Sequence, residues 1–219
     1  MDSFSKTAVI LLLLGMAFGW LASYVLIIYR SIKDKTYGMP FIALAFNICW
    51  EFLYGFILIP SKAGLQTQVN RLWFLLDVFI LTCYFLYGKK EWKNVGLQNY
   101  FLPFSLFTIA SAGLILYYYD KATGPIAITN SAFIMSILIS AMYIGMLLKR
   151  KSISGQSFGI AFWKCIGTLC ATIFLFQGFS IFLQLLGFLC FILDIIYLLM
   201  IVNIYKKENR SLLSRKINV

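Results

Sequence analysis

Long apolar runs broken by short polar clusters set the rhythm of this chain. Seven stretches stand out: about Thr7 to Tyr29, Pro40 to Ile59, Leu72 to Gly88, Tyr100 to Tyr119, Ile126 to Leu148, Phe158 to Gln177 and Phe182 to Tyr205. Each is close to the roughly 20 residues needed to cross about 30 Å of hydrocarbon. The pattern predicts an all-α, polytopic membrane protein with seven transmembrane helices in a single domain spanning residues 1–219. The four prolines, Pro40, Pro60, Pro103 and Pro125, sit at or near span ends, where a missing backbone N–H does least harm. The first run is too long for a signal-peptide core and lacks a small-x-small cleavage site, so it reads as a retained helix.

Composition agrees with the pattern. Of 219 residues, 61% are hydrophobic and 12% are charged, about half the charged fraction of a soluble domain. The formal charge of +11 is mainly topological. Lys6, Lys62, Arg71 and Lys121 lie on one side of the spans. Fourteen cations lie on the other: Arg30, Lys33, Lys35, Lys89, Lys90, Lys93, the run Lys149 to Lys151, Lys206, Lys207, Arg210, Arg215 and Lys216. The positive-inside rule then puts the N-terminus outside and the C-terminus in the cytoplasm, in the plasma membrane of a bacterium or the endoplasmic reticulum of a fungus. A nucleic-acid partner loses its basis; the expected surroundings are lipid. Oligomeric state is not legible.

The chain carries a candidate internal repeat. Span three reads WFLLDVFILTCYFLYGKKEW and span seven CFILDIIYLLMIVNIYKKEN, so that Asp77 and Asp194 match at an offset of 117. Upstream, Lys33, Lys35, Ala45, Phe46 and Cys49 match Lys149, Lys151, Ala161, Phe162 and Cys165 at an offset of 116. This suggests two parallel three-helix units, residues 7–93 and 126–210, joined by span four in a 3+1+3 plan. Small transporters are built in this way, so a solute or proton-coupled transporter is the rival function.

The chemistry is confined by what is missing. There is no histidine, which removes His-based acid–base, nucleophilic and imidazole-ligated metal mechanisms. Cys49, Cys83, Cys165, Cys170 and Cys190 fall inside apolar runs without CxxC spacing and read as small buried side chains. No adjacent Asp pair or DDxxD cluster is present, so neither a metal site nor magnesium-dependent diphosphate ionisation is expected. Of eight acids, Asp2, Asp34, Glu91, Asp120 and Glu208 lie in loops or tails, while Glu51, Asp77 and Asp194 lie within spans. Each costs about 2.5 to 3.5 kcal/mol to place at mid-membrane.

At 1.5 Å per residue, Glu51 and Asp194 reach the midplane, at about 17 and 18 Å from a span end, and Asp77 lies only about 8 Å below the outer end of span three. In low dielectric the neutral acid is favoured and can give up a proton. Asn47, one turn before Glu51, is placed to orient it, and Tyr54 follows on the same face. Trp73, Asp77 and Tyr84 share a stripe on span three, and Asp194 and Tyr197 share one on span seven. Trp50, Tyr54, Trp73, Tyr84 and Tyr197 are therefore the candidate walls of a cavity whose aromatic faces hold a carbocation. Lys164, near the inner end of span six, reads as snorkelling to the interface.

The run YGMPFIALAFNICWEFLYGF, with Asn47, Trp50 and Glu51, followed by RLWFLLDV, with Arg71, Trp73 and Asp77, resembles the small integral-membrane terpene cyclases of fungal meroterpenoid and indole-diterpene pathways and their bacterial relatives. The resemblance implies a cofactor-free, class II type cyclisation. A protonated carboxyl attacks a terminal epoxide or alkene of a polyprenyl or prenylated substrate, and the cation propagates through ring closures to a final proton loss. It also implies that the essential acids fall on Glu51 and Asp194, with Asp77 in the span-three motif.

Overall fold

The computed structural model describes residues 4–59 and 64–207. Asp2, Pro60, Lys62, Glu208, Arg210, Arg215 and Lys216, which entered the charge and span reading, lie outside the described residues. Every regular element among the described residues is helical: α1 (Lys6–Asp34), α2 (Phe41–Phe52) continuing into a π-helical turn (Leu53–Ile57), α3 (Leu65–Tyr87), a short α4 (Lys89–Asn94), α5 (Phe101–Thr123), α6 (Ala127–Arg150), α7 (Phe158–Leu175) and α8 (Ile181–Lys207). Five helical stretches are long and apolar enough to cross a membrane. One of them, Gln98–Arg150, holds both α5 and α6, and Phe41–Ile57 forms a shorter apolar helix beside them.

The helices overrun the apolar runs where local polar chemistry supports another turn. α1 continues past Tyr29 to Asp34 because Arg30 pairs with Asp34 one turn on, at 2.9 Å. α3 begins at Leu65, seven residues before the apolar run, through the polar segment QTQVNR. That extension changes a depth: Asp77 lies twelve residues, about 18 Å, into α3 rather than near its outer end. α1 and α6 both end on a lysine in the left-handed region, Lys35 at φ 48° and Lys151 at φ 51°, a conformation rare outside glycine.

Packing follows a closed order: α1 against α7, α7 against α8, α8 against α6, α6 against α2, α2 against α3, and α3 back against α1. α5 sits outside this ring, mainly against α2. The tightest crossing is α1 on α7. Gly15 and Gly19 are spaced for close helix approach. A Cβ at Gly19 would lie 2.7 Å from the Cα of Gly167, and one at Gly15 would lie 2.7 Å from Cys170 Sγ. Large apolar side chains face outward on every long helix, among them Leu11, Phe79, Phe107 and Leu199, as expected of a surface that meets hydrocarbon.

One end of the bundle is tied by charge. Glu91 on α4 accepts from Arg150 at 2.9 Å, Lys149 at 3.1 Å and the Tyr37 hydroxyl at 2.8 Å. Arg150 also donates to the Tyr37 carbonyl at 2.8 Å and lies over the Tyr37 ring, 4.2 Å from its centroid. Burial pushes the Tyr37 phenol up from its ordinary value, so it stays a donor to Glu91 at any pH the protein meets. This basic rim clamps the ends of α1, α4 and α6.

The α1–α7 crossing generates a test. Gly19→Val places two methyls against the α7 backbone, where overpacking costs about 1–3 kcal/mol. The expected result is a melting temperature several degrees lower for the detergent-solubilised protein, followed by fluorescence, with Gly145→Val, whose Cβ meets open space, as the silent control.

Candidate active site

The α2 sequence that produces the centre of the site is AFNICWEF, in which Asn47 and Glu51 are one helical turn apart. Both point to the helix interface, and Glu51 is 1% exposed. The Asn47 amide nitrogen donates to Glu51 Oε1 at 2.9 Å and to Asp77 Oδ2, brought in by α3, at 2.8 Å. The Tyr24 hydroxyl, from α1, lies 2.5 Å from the same nitrogen and itself donates to Glu51 Oε1 at 2.9 Å. The Asn47 amide thus bridges the two carboxyls. Each keeps one oxygen, Oε2 of Glu51 and Oδ1 of Asp77, without a hydrogen-bond partner among the described residues. No Lys or Arg forms an ion pair with either acid among the described residues.

The turn after Glu51 is widened. Leu58 N donates to the Leu53 carbonyl, five residues back, at 2.6 Å. π turns of this kind release backbone groups from the regular ladder and often mark functional sites. Here the Gly55 carbonyl accepts from Arg71 Nε at 2.8 Å, and the guanidinium lies 5.5 Å from the Phe56 ring centroid. Arg71, on the polar extension of α3, thus pins the end of the element that carries Asn47, Trp50 and Glu51.

A cavity of about 330 Å³ opens beside these groups. Tyr24, Asn47 and Glu51 form its polar wall, with Thr168 of α7 also lining it, and Trp20, Trp50, Trp73, Phe133 and Phe174 supply aromatic faces. Its lining comes from the first part of α1, the end of α2, the start of α3 and α6 and the end of α7, so the cavity occupies the half of the bundle away from the basic rim. Trp50 is held by a bond from its indole N–H to Ser131 Oγ at 2.9 Å.

A second polar node lies deeper. Lys164 of α7 is 1% exposed and makes a close ion pair with Asp194 of α8 while donating to Ser140 of α6 at 2.6 Å. Lys164 therefore does not snorkel. Facing Asp194 across the α7–α8 contact, it is held in the interior by a counter-charge that would itself be uncompensated without it. Its Nζ also sits 5.4 Å from the centroid of Trp20, a cavity-wall residue.

The predicted residues divide accordingly. Asn47, Trp50, Glu51 and Trp73 line the cavity, and Asp77 stands directly behind Asn47. Asp194 does not line it, being bound to Lys164. Tyr54 donates to Asp120 at the end of α5 at 3.0 Å, Tyr197 donates to Gln156 at 2.9 Å, and Tyr84 is stacked on Phe41 with its hydroxyl 3.1 Å from Ser105. These three are buried and are not among the side chains that line the cavity. Tyr24 and the pairing of Lys164 are the contributions that reading the chain missed, although two signals were present. Tyr24 follows the Gly15, Gly19 and Ser23 stripe that turns α1 inward. Lys164 lies 117 residues after Asn47, the offset that separates Asp77 from Asp194.

Comparison with known proteins follows the same lines. A family profile described as Pyr4-like transmembrane terpene cyclases matches residues 3–207. The chain is 30% identical over 213 residues to "Terpene cyclase pyr4" of Aspergillus fumigatus, covering 91% of this chain and 88% of that protein. It is 33% identical over 169 residues to "Terpene cyclase andB" of Emericella variicolor, covering 74% and 70%. It is 34% identical over 156 residues to "Asnovolin H synthase nvfL" of Aspergillus novofumigatus, covering 70% and 63%. No solved structure matches the chain.

The deeper node yields a double-mutant test. Lys164→Met strands a buried carboxylate and is expected to cost about 3–5 kcal/mol, seen as loss of folded protein in detergent. Lys164→Met combined with Asp194→Leu removes both charges and is expected to recover most of that loss in a thermal melt. A double variant no more stable than the single would show that the pair contributes no coupled electrostatics.

Proposed function

The chain belongs to the Pyr4-like transmembrane terpene cyclases, and from that premise we propose that Glu51, sharing its proton with Asp77, starts the cyclisation in the 330 Å³ cavity. It is an integral-membrane enzyme that closes rings on a prenyl-type substrate. The family sets this activity above the transporter reading. The single observation that carries the assignment of the acid is that Glu51 lines the cavity with Oε1 doubly hydrogen-bonded and Oε2 left over.

The chemistry follows from that arrangement. Two carboxyls bridged by one amide nitrogen, with no cation paired to either, cannot both be ionised in a low-dielectric interior, so the pair holds a proton. The proton passes from the Glu51 carboxyl to the terminal epoxide oxygen or alkene carbon. The carboxylate left behind is stabilised by the Tyr24 hydroxyl and the Asn47 amide, donors already in place before reaction. The cation that forms lies among the faces of Trp20, Trp50 and Trp73, each worth about 2 kcal/mol when desolvated. Ring closure moves the charge along the chain, and loss of a proton from carbon ends it, so the net reaction is an isomerisation that returns the protein to its starting charge. Asp194 acts at one remove, by holding Lys164 under Trp20.

The topology supports the same reading. We infer seven spans in a 3+1+3 plan, with α5 as the linker. Exchanging α1, α2 and α3 with α6, α7 and α8 maps the closed packing order onto itself. The left-handed lysine caps also sit 116 residues apart. The positive-inside rule places the cavity half of the bundle on the outer or lumenal side, with the basic rim in the cytoplasm.

The test uses the purified protein in nanodiscs, supplied with farnesyl- and geranylgeranyl-substituted aromatic acids with and without a terminal epoxide and followed by mass spectrometry. Glu51→Gln is expected to lower the rate by about 10²–10⁴, the usual worth of a positioned acid, with folding unchanged. In D₂O, alkene protonation leaves deuterium on a product carbon, whereas epoxide protonation leaves it only on an exchangeable hydroxyl. A folded Glu51→Gln protein that cyclises at the parental rate would refute the assignment.

A further inference from the structure

The cavity is also lined by Gln66, Thr129, Ser136 and Thr168, polar groups that the proposed mechanism leaves idle, and of these Thr168 is the one whose buried polar atom has no hydrogen-bond partner among the described residues. Thr168 sits in the middle of α7, is 2% exposed, and lines the same cavity as Glu51. Its Oγ1 makes no hydrogen bond to any described residue. This is a departure from what the other threonines beyond the first turn of a described helix do. Thr82, Thr108, Thr123 and Thr172 all turn their hydroxyls back onto the carbonyl four residues earlier, at 2.7 to 2.8 Å, as threonines in apolar helices do. Thr172 is the next turn of the same helix. Its hydroxyl takes the Thr168 carbonyl at 2.8 Å and also reaches Gly187 on α8 at 3.0 Å, so nothing in the local backbone prevents the ordinary arrangement.

The Cys190 thiol, a weak partner that itself lies 3.5 Å from Ser140, is close to the Thr168 hydroxyl. A hydroxyl taken out of water and given only a thiol forfeits most of a hydrogen bond.

We propose that Thr168 is a substrate-binding group of this cyclase: its hydroxyl donates to an oxygen of the prenyl-type substrate, from the α7 wall, while Glu51 delivers the proton from the α2 wall. The inference rests on the cavity being the reaction site. Its ligand chemistry is a hydrogen-bond-accepting oxygen, which the substrate supplies from its oxidised reacting end or from its head group. The rest of the wall is mostly aromatic and aliphatic, and the hydroxyls of Tyr24 and Ser136 are already bonded, so the unpartnered Thr168 hydroxyl separates oxygenated from purely hydrocarbon chains, since a site built to bond an oxygen is left unpaired by an analogue that lacks it.

The test is a matrix of variants and probes on the nanodisc enzyme. The probes are a farnesyl-substituted phenolic acid with a terminal epoxide, the same compound without the epoxide, and each compound with its phenol removed. Thr168→Val keeps the shape and removes the hydroxyl, Thr168→Ser keeps the hydroxyl, and Cys190→Ala removes the thiol. Thr168→Val is expected to raise KM about three- to tenfold for probes carrying the recognised oxygen, with kcat nearly unchanged, and to leave KM unaltered for probes lacking it. Thr168→Ser is expected to restore the parental KM, and Cys190→Ala to leave the discrimination in place. Whichever oxygen's removal abolishes the effect is the one that Thr168 binds. If Thr168→Val shifts every probe equally, or none, the hydroxyl serves packing and the proposal is overturned. If Glu51→Gln remains fully active, the reaction site is elsewhere and it is the underlying reading that fails, whatever Thr168→Val does.

Discussion

Inside hydrocarbon there is no water to complete a hydrogen bond, so each polar side chain placed there must find its partner on another helix or remain unsatisfied at a cost of several kcal/mol. Most of what is distinctive about this bundle follows from that constraint. Tyr24, Asn47, Glu51 and Asp77 come from three helices and converge because none of them is tolerable alone. Lys164, Asp194 and Ser140 come from three others for the same reason. The two nodes pull their helices into register, and the glycines of α1 and α7 let the halves approach closely enough to close the ring.

Because pairing is so nearly obligatory, the few atoms that lack a partner are informative. Eight buried side-chain atoms are unmatched among the described residues, and of the residues that carry them only Glu51 and Thr168 line the cavity described above. A bundle selected only for stability would replace them with apolar groups of the same shape. Glu51 and Thr168 are retained beside aromatic walls, where packing alone would favour apolar side chains.

The two nodes differ in their central group. Each joins side chains from three helices: Tyr24, Asn47 and Asp77 of α1, α2 and α3 in one, Ser140, Lys164 and Asp194 of α6, α7 and α8 in the other. The first is centred on an amide and the second on an ammonium. The acids of the first therefore have no counter-ion, whereas Asp194 has one. The first node opens onto the cavity, and the second supports the cavity wall through Trp20.

Hydrophobic patterning alone was enough to identify the membrane, the long helices and their approximate limits, because the length and polarity of a span are local properties. The three intramembrane acids and the one-turn relation of Asn47 to Glu51 were legible on the same ground, since helical periodicity places them without reference to any other element. Partnership was not legible. Asp77 looked too shallow to meet Glu51 until α3 extended through a polar segment. Lys164 looked bound for the interface until α8 brought Asp194 against it, and Tyr54, Tyr84 and Tyr197 proved to be bonded away from the cavity. Which acid faces open space and which faces a lysine depends on contacts between residues 27 to 30 apart within each half and on the α1–α7 crossing between halves. Such contacts are a matter of rotation and depth between helices, set by packing and by the need to pair every buried charge, and no one-dimensional pattern contains them.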